Sequence, residues 1–104
     1  MYVAVRRYQT EPGSIDELAR RAQQGFVPLM RQVPGFVAYY GVDAGNNVIV
    51  TISIFQDQAG AEESNRRAAD WVKQNLAELV QGPPEITAGE VRWGFGSIML
   101  PSSL

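Results

Sequence analysis

The chain has no cysteine and no histidine among its 104 residues. Without cysteine there can be no disulfide, thiolate metal site or cysteine nucleophile. Without histidine the commonest general base, the commonest protein metal ligand and the usual axial haem ligand are missing, and a Ser-His-Asp triad is impossible. An excess of one charge is also lacking. Nine Lys and Arg against eleven Asp and Glu leave a net charge of −2, which argues against a nucleic-acid partner. No apolar run approaches the roughly 20 residues of a membrane helix. The opening Tyr2-Val3-Ala4-Val5 lacks the basic and apolar regions of a signal peptide. The expectation is a cytoplasmic protein with no membrane and no nucleic-acid partner.

What is present is an ordinary globular composition, 45% apolar, in a length that suits one domain. The reading is a single domain over residues 1–95 and a loose tail over 96–104. The chain is organised around a hairpin, Phe36 to Phe55. Two runs of β-branched and aromatic residues flank Asp43-Ala44-Gly45-Asn46-Asn47. Gly and Asn tolerate the positive φ that tight hairpin turns demand. A loop centred on Gly45-Asn46 predicts Phe36, Ala38, Tyr40 and Val42 on one face with Ile49, Thr51, Ser53 and Phe55. The other face then carries Val37, Tyr39 and Gly41 with Val48, Val50, Ile52 and Ile54. Neither face looks solvated, so each needs a cover.

Around the hairpin the pattern is strand, helix, strand, strand, helix, strand. Residues 2–8 read as the first strand. Ser14-Ile15-Asp16-Glu17 reads as a capping box. The helix that follows carries an apolar stripe of Ile15, Leu18, Ala22, Phe26, Met30 and Val33, with a kink expected near Gly25 because Pro28 removes a helical N–H. Asp57 reads as the cap of a second helix over 58–79, with Ala61, Asn65, Ala68, Val72 and Leu76 inward. Gly82-Pro83-Pro84 stops it, and a last strand is expected from Glu85 to Phe95. Right-handed crossovers fold this order into a ferredoxin-like α+β sandwich: a four-stranded antiparallel sheet with both helices on one face. The other face stays bare and apolar, and a homodimer that stacks two such faces into a β-barrel would cover it.

The run from Phe26 to Tyr40, the strand Val50–Phe55, and the helix bearing Ala61-Glu62-Glu63-Ser64-Asn65 and Ala68-Ala69-Asp70-Trp71-Val72 resemble the antibiotic-biosynthesis-monooxygenase-like branch of the dimeric α+β barrel superfamily. The resemblance covers roughly residues 1–93. It implies the same sandwich and a homodimer through the sheet. Activities across that superfamily are diverse. Members that oxidise aromatic polyketides need no metal or flavin, so no cofactor is expected; they hold an electron-rich substrate between sheet and helices with Asn, Trp, Tyr and Arg side chains. Haem-degrading members use a His ligand, which this chain cannot supply.

The residue types that match are Asn65 and Trp71 as candidate catalytic residues, with Tyr39, Tyr40, Ser53 and Arg6 as candidate substrate-binding residues. Each has a plainer reading. Asn65 on an apolar stripe is served equally by a backbone carbonyl or a water. Trp71 is equally a packing anchor. Tyr40, Thr51 and Ser53 on one face line a polar pocket or meet their symmetry mates. Arg6 and Arg7 hold an anionic substrate or pair with a carboxylate such as Glu90. The pairs Asp16-Glu17 and Glu62-Glu63 do not chelate a metal, because helix neighbours point about 100° apart. Two functions follow: a cofactor-independent oxygenase of a small aromatic or polyketide-like metabolite, or a non-catalytic dimeric module that binds a small hydrophobic ligand or serves a structural role.

Overall fold

The computed structural model of the protein describes residues 1–96; of the expected loose tail, all but Gly96 lies outside the described residues. Strand β1 (Tyr2–Gln9) is followed by helix α1 (Ile15–Arg21), a π-helical turn (Ala22–Phe26) and helix α2 (Val27–Arg31). Strands β2 (Phe36–Gly45) and β3 (Val48–Phe55) form the hairpin, and helix α3 (Gln58–Asn75) leads to strand β4 (Glu85–Glu90). All pairings are antiparallel, in the order β2-β3-β1-β4. This is the ferredoxin-like sheet, with the broken first helix and α3 on one face.

The core lies between that face and the helices. Ala4, Phe55, Phe26, Met30, Val33, Ala61 and Ala68 are its buried members. Asp57 caps α3 as expected, its side chain accepting from the Gly60 N–H at 2.9 Å. A Cβ on Gly60 would sit 3.0 Å from both the Phe55 ring and the Pro34 carbonyl, so a residue without one lets α3 lie close to the sheet.

Four local expectations are corrected. The two-residue turn is Asn46-Asn47, both at positive φ (54° and 61°), with Gly45 opposite Val48. Register shifts at Val37 and Ala44 then bring Tyr39 opposite Ser53 and Gly41 opposite Thr51. Directly opposed residues share a face, so Tyr39, not Tyr40, joins Thr51 and Ser53; bulges move the alternation by one. The capping box does not form. The Ser14 hydroxyl donates to the Glu11 carbonyl at 2.6 Å, and Glu17 is taken by Arg20 and Arg21. Helix α3 ends four residues early because Leu76 leaves helical geometry, and the chain beyond is drawn into pairing with the end of β1 through Glu11 N–H to Leu79 O and Gln81 N–H to Gln9 O. Strand β4 stops at Glu90, opposite Tyr2, after one more bond from Val91 N–H to Met1 O. Trp93 and Phe95, expected to alternate within it, stand out at 88% and 107% exposure.

The second face carries Val3, Val5, Tyr40, Val42, Val50 and Ile52 in register across β1, β3 and β2. In the single chain these side chains are half-buried or exposed rather than covered.

Candidate functional site

Arg6 sits at the centre of β1 on the helix-covered face, between Ala4 and Tyr8, and is 1% exposed. Its Nη2 donates to Ser53 Oγ at 2.6 Å, its Nη1 to Asn65 Oδ1 at 2.7 Å and its Nε to Thr51 Oγ1 at 3.2 Å. Two positions on β3 and one on α3 therefore converge on one guanidinium. Every one of these partners is neutral. Among the described residues, the ion pairs join surface groups and none includes Arg6. An arginine does not lose its proton in a protein, so a full positive charge stays beneath the helices. Burial nevertheless pushes its pKa down, with Tyr8 and Tyr39 opposing.

Aromatic rings roof this charge. The Arg6 guanidinium carbon lies 5.8 Å from the centre of the Phe26 ring, close enough for a cation–π contribution. Phe26 packs at 5.2 Å on Tyr39 and at 5.4 Å on Trp71, both tilted. The π turn places Phe26 there. Pro28 has no N–H to give the Gln24 carbonyl, and the Val27 N–H instead reaches back five residues to the Ala22 carbonyl. The expected kink near Gly25 is this widened turn. A Cβ on Gly25 would lie 2.9 Å from Trp71 Cζ2. Gly25→Ala is therefore expected to push the indole aside and to cost about 1–3 kcal/mol in overpacking, against a helix-propensity gain of up to about 1 kcal/mol. Trp71 fluorescence and a melt would read both. A more stable protein with an unchanged indole would contradict the packing described.

Tyr8 and Tyr39 complete the centre. Burial raises the pKa of both, Tyr39 up to about 12, with Arg6 pulling each back down. Both phenols stay neutral near pH 7 and supply no counter-charge.

Between sheet and helices runs a cleft with a tight neck. Arg6, Tyr8, Tyr39, Thr51, Phe26 and Trp71 are among the residues that line a neck of about 20 Å³, room for roughly one water. It widens on the α1 side into a groove of about 250 Å³, which shares Leu18, Ala22, Tyr39, Ile49 and Thr51 with the neck. On the α3 side a second groove of about 330 Å³ meets it at Tyr8, Val72 and Val80. The arrangement can hold a planar apolar body in a groove and present one of its polar atoms to the neck.

The predicted residues fall into three groups. Arg6, Tyr39 and Trp71 line the neck. Asn65 and Ser53 stand behind Arg6 and bond to it, so they act on the neck through the guanidinium. Tyr40 is on the other face of the sheet, opposite Ile52. Arg7, weighed beside Arg6, pairs with Glu85 at 3.4 Å, whereas Glu90, the partner considered for either arginine, lies opposite Tyr2. Of the acidic pairs, Glu63 is engaged by Arg66 and Arg67. Sequence reasoning missed Tyr8 and the role of Phe26. The signal for Tyr8 was the spacing Ala4-Arg6-Tyr8, one face of a strand.

No curated protein matches the sequence. Solved structures share the fold at low identity. A protein of unknown function from Nitrosomonas europaea matches with a TM-score of 0.74 at 23% identity, covering 90% of this chain and 91% of that one. A monooxygenase from the ActVA-Orf6 gene of Streptomyces coelicolor, in complex with Nanaomycin D, matches with a TM-score of 0.74 at 19% identity over 90% and 89%. Rv0793 of Mycobacterium tuberculosis matches with a TM-score of 0.69 at 14% identity over 91% and 98%. A family model described as antibiotic biosynthesis monooxygenase matches residues 1–69, from β1 into α3, a span that includes Arg6, Tyr39, Ser53 and Asn65. That is 69 of the 104 residues, and the chain belongs to the antibiotic biosynthesis monooxygenase family.

Proposed function

We propose that the protein is a cofactor-independent oxygenase of a small, planar aromatic or polyketide-like metabolite. The observation that carries the reading is the neck itself, where Phe26, Tyr39 and Trp71 surround a fixed hydrogen-bonding centre at Arg6. Aromatic walls suit an electron-rich ring. The family includes monooxygenases, and a structural relative with that activity is described with a bound ligand. In such a reaction a phenolic ring supplies the electrons. One atom of O₂ becomes the new carbonyl oxygen of a quinone. The other leaves as water with the hydrogens of one ring C–H and one O–H. The protein's part is to orient the ring, exclude bulk water and hold the oxygen from which the ring is activated. Trp71 and Tyr39 do the first two; Arg6, braced by Asn65 and Ser53, does the third.

The second face of the sheet supports a homodimer. Its row of Val3, Val5, Val50 and Ile52 is apolar and only half-buried in the single chain, a face that a partner can cover. The proposed partner is a second copy, stacked sheet to sheet. No helix among the described residues is long and apolar enough to cross a membrane.

A second reading is a non-catalytic module that binds a hydrophobic ligand in the wider grooves; the small volume of the neck, about 20 Å³, is the observation on its side. Oxygen uptake separates the two. The oxygenase consumes O₂ in the presence of hydroxynaphthalenes. Asn65→Ala is expected to lower that turnover about tenfold or more, because it removes a hydrogen bond to a charged group. Trp71→Phe, which keeps an aromatic wall, is expected to lower it only a few-fold. No uptake above the spontaneous rate with any such compound would leave the binding module. Uptake that is unchanged in both variants would remove the site from the neck.

A further inference from the structure

We propose that the neck is a seat for dioxygen and that the gas reaches it from the groove on the α3 side, while the ring occupies the groove on the α1 side. The inference rests on the reading of the protein as an oxygenase and adds where its second substrate binds and by which way it enters.

Three observations converge. The first is the division of the cleft. One groove lies over β2 and β3, the other beside β1 and α3, and each opens into the neck. A ring lodged in one groove closes that approach and leaves the other open. The second is the chemistry of the walls. Gln23, Asp43 and Thr51 stand in the α1-side groove and suit the hydroxyls of a phenolic ring. The α3-side groove is lined by Ala69, Val72, Ala77, Val80, Pro83 and Pro84 beside Gly82; its polar side chains are Tyr8 and the exposed Lys73. That wall offers a hydroxylated molecule few partners and admits an apolar gas. The third is the neck. Its volume of about 20 Å³ takes one small molecule. The three nitrogens of the Arg6 guanidinium already donate to Thr51, Ser53 and Asn65. Among the described residues, every fully buried side-chain nitrogen and oxygen has a partner. A water is held in a cavity by polar groups that need it, and here those groups are satisfied. A diatomic gas, which makes no strong hydrogen bonds, gives up nothing by entering.

Tyr8, Val72 and Val80 line both the neck and the α3-side groove. They come from β1, from α3 and from the chain beyond α3, so three separate elements set the width of the junction. Ring and gas enter by separate ways, and a bound ring does not shut dioxygen out.

The test uses the methyl-labelled full chain and dioxygen itself, a paramagnet that shifts the NMR resonances of the methyl groups it visits, with dinitrogen at the same pressure as the blank. The methyl groups of Val72, Leu76 and Val80, which line the neck, are expected to shift several-fold more than that of Met30, which is fully buried but lines neither neck nor groove. Equal shifts would mean that the gas dissolves in the core at large, and the site falls. Val72→Phe narrows the junction. It is expected to lower kcat/KM for dioxygen about tenfold and to leave the dissociation constant of 1-naphthol unchanged. Val80→Phe tests the same junction from outside α3. Dioxygen kinetics that are unchanged in both variants would overturn the route. Oxygen uptake without the selective shift keeps the oxygenase and removes the gas site. A selective shift in a protein that consumes no dioxygen with any phenol keeps the site and removes the reaction.

Discussion

Replacing Phe55 by alanine is expected to cost about 3–5 kcal/mol of folding stability, as for other fully buried phenylalanines. Phe55 ends the central strand β3 and has no solvent exposure. Its ring stands edge-on to Phe36 at 5.9 Å, and Gly60 at the start of α3 packs against it. Both helical layers meet the sheet at this ring, so neither side can collapse into the cavity without moving a backbone. A domain of this size has roughly 5–15 kcal/mol in all. The loss should lower the melting temperature by on the order of 15 °C or more. Trp93→Ala is the control, since that side chain is 88% exposed and its loss should leave the melt unchanged. A Phe55→Ala protein that melts with the wild type would contradict the packing of α3 on the sheet.

The second large effect is on assembly. Ile52 lies in the middle of the second face, opposite Val5 on one side and Tyr40 on the other. Two such faces stacked in a dimer would enclose it. Ile52→Asp would then place a carboxylate in a largely apolar interface whose nearby cation, Arg7 opposite Val50, already pairs with Glu85, at a cost of several kcal/mol. A loss of about 4 kcal/mol raises the dissociation constant roughly a thousandfold. Light scattering at micromolar concentration should give about twice 11.5 kDa for the wild type and 11.5 kDa for the variant. A wild type of 11.5 kDa under the same conditions would contradict the sheet-to-sheet dimer and leave the apolar face without a cover.

The order of elements was legible because each carries a strong local signal. Asp57 is a good cap, Pro28 forces a break in the first helix, and the runs flanking Asn46-Asn47 alternate or are wholly apolar. Faces were less legible. Period-two reasoning assumes an unbroken ladder, and the extra residues at Val37 and Ala44 each shift it by one. That is why Tyr40 was grouped with the hydroxyls when Tyr39 is their neighbour. The capping box at Ser14 failed for a local reason, since two arginines one turn on in the same helix compete for Glu17. At the site, the hydroxyls Thr51 and Ser53 and the inward Asn65 were each visible, but a sequence gives no hint that all three serve one side chain. In the sequence Arg6 reads as holding an anionic substrate or pairing with a carboxylate, because a charge is usually met by an opposite charge; its burial among neutral partners was not legible. The one clue to burial was its position two residues from Ala4 and two from Tyr8.

The most direct test of the central claim is a titration of the ¹⁵N-labelled protein with 1-naphthol, followed at the indole N–H resonances of its two tryptophans. Trp71 walls the neck, whereas Trp93 is exposed beyond β4. A saturable shift of the Trp71 resonance with Trp93 unmoved is the predicted result. A protein that leaves Trp71 unshifted, or that moves only Trp93, does not bind planar aromatics in this cleft.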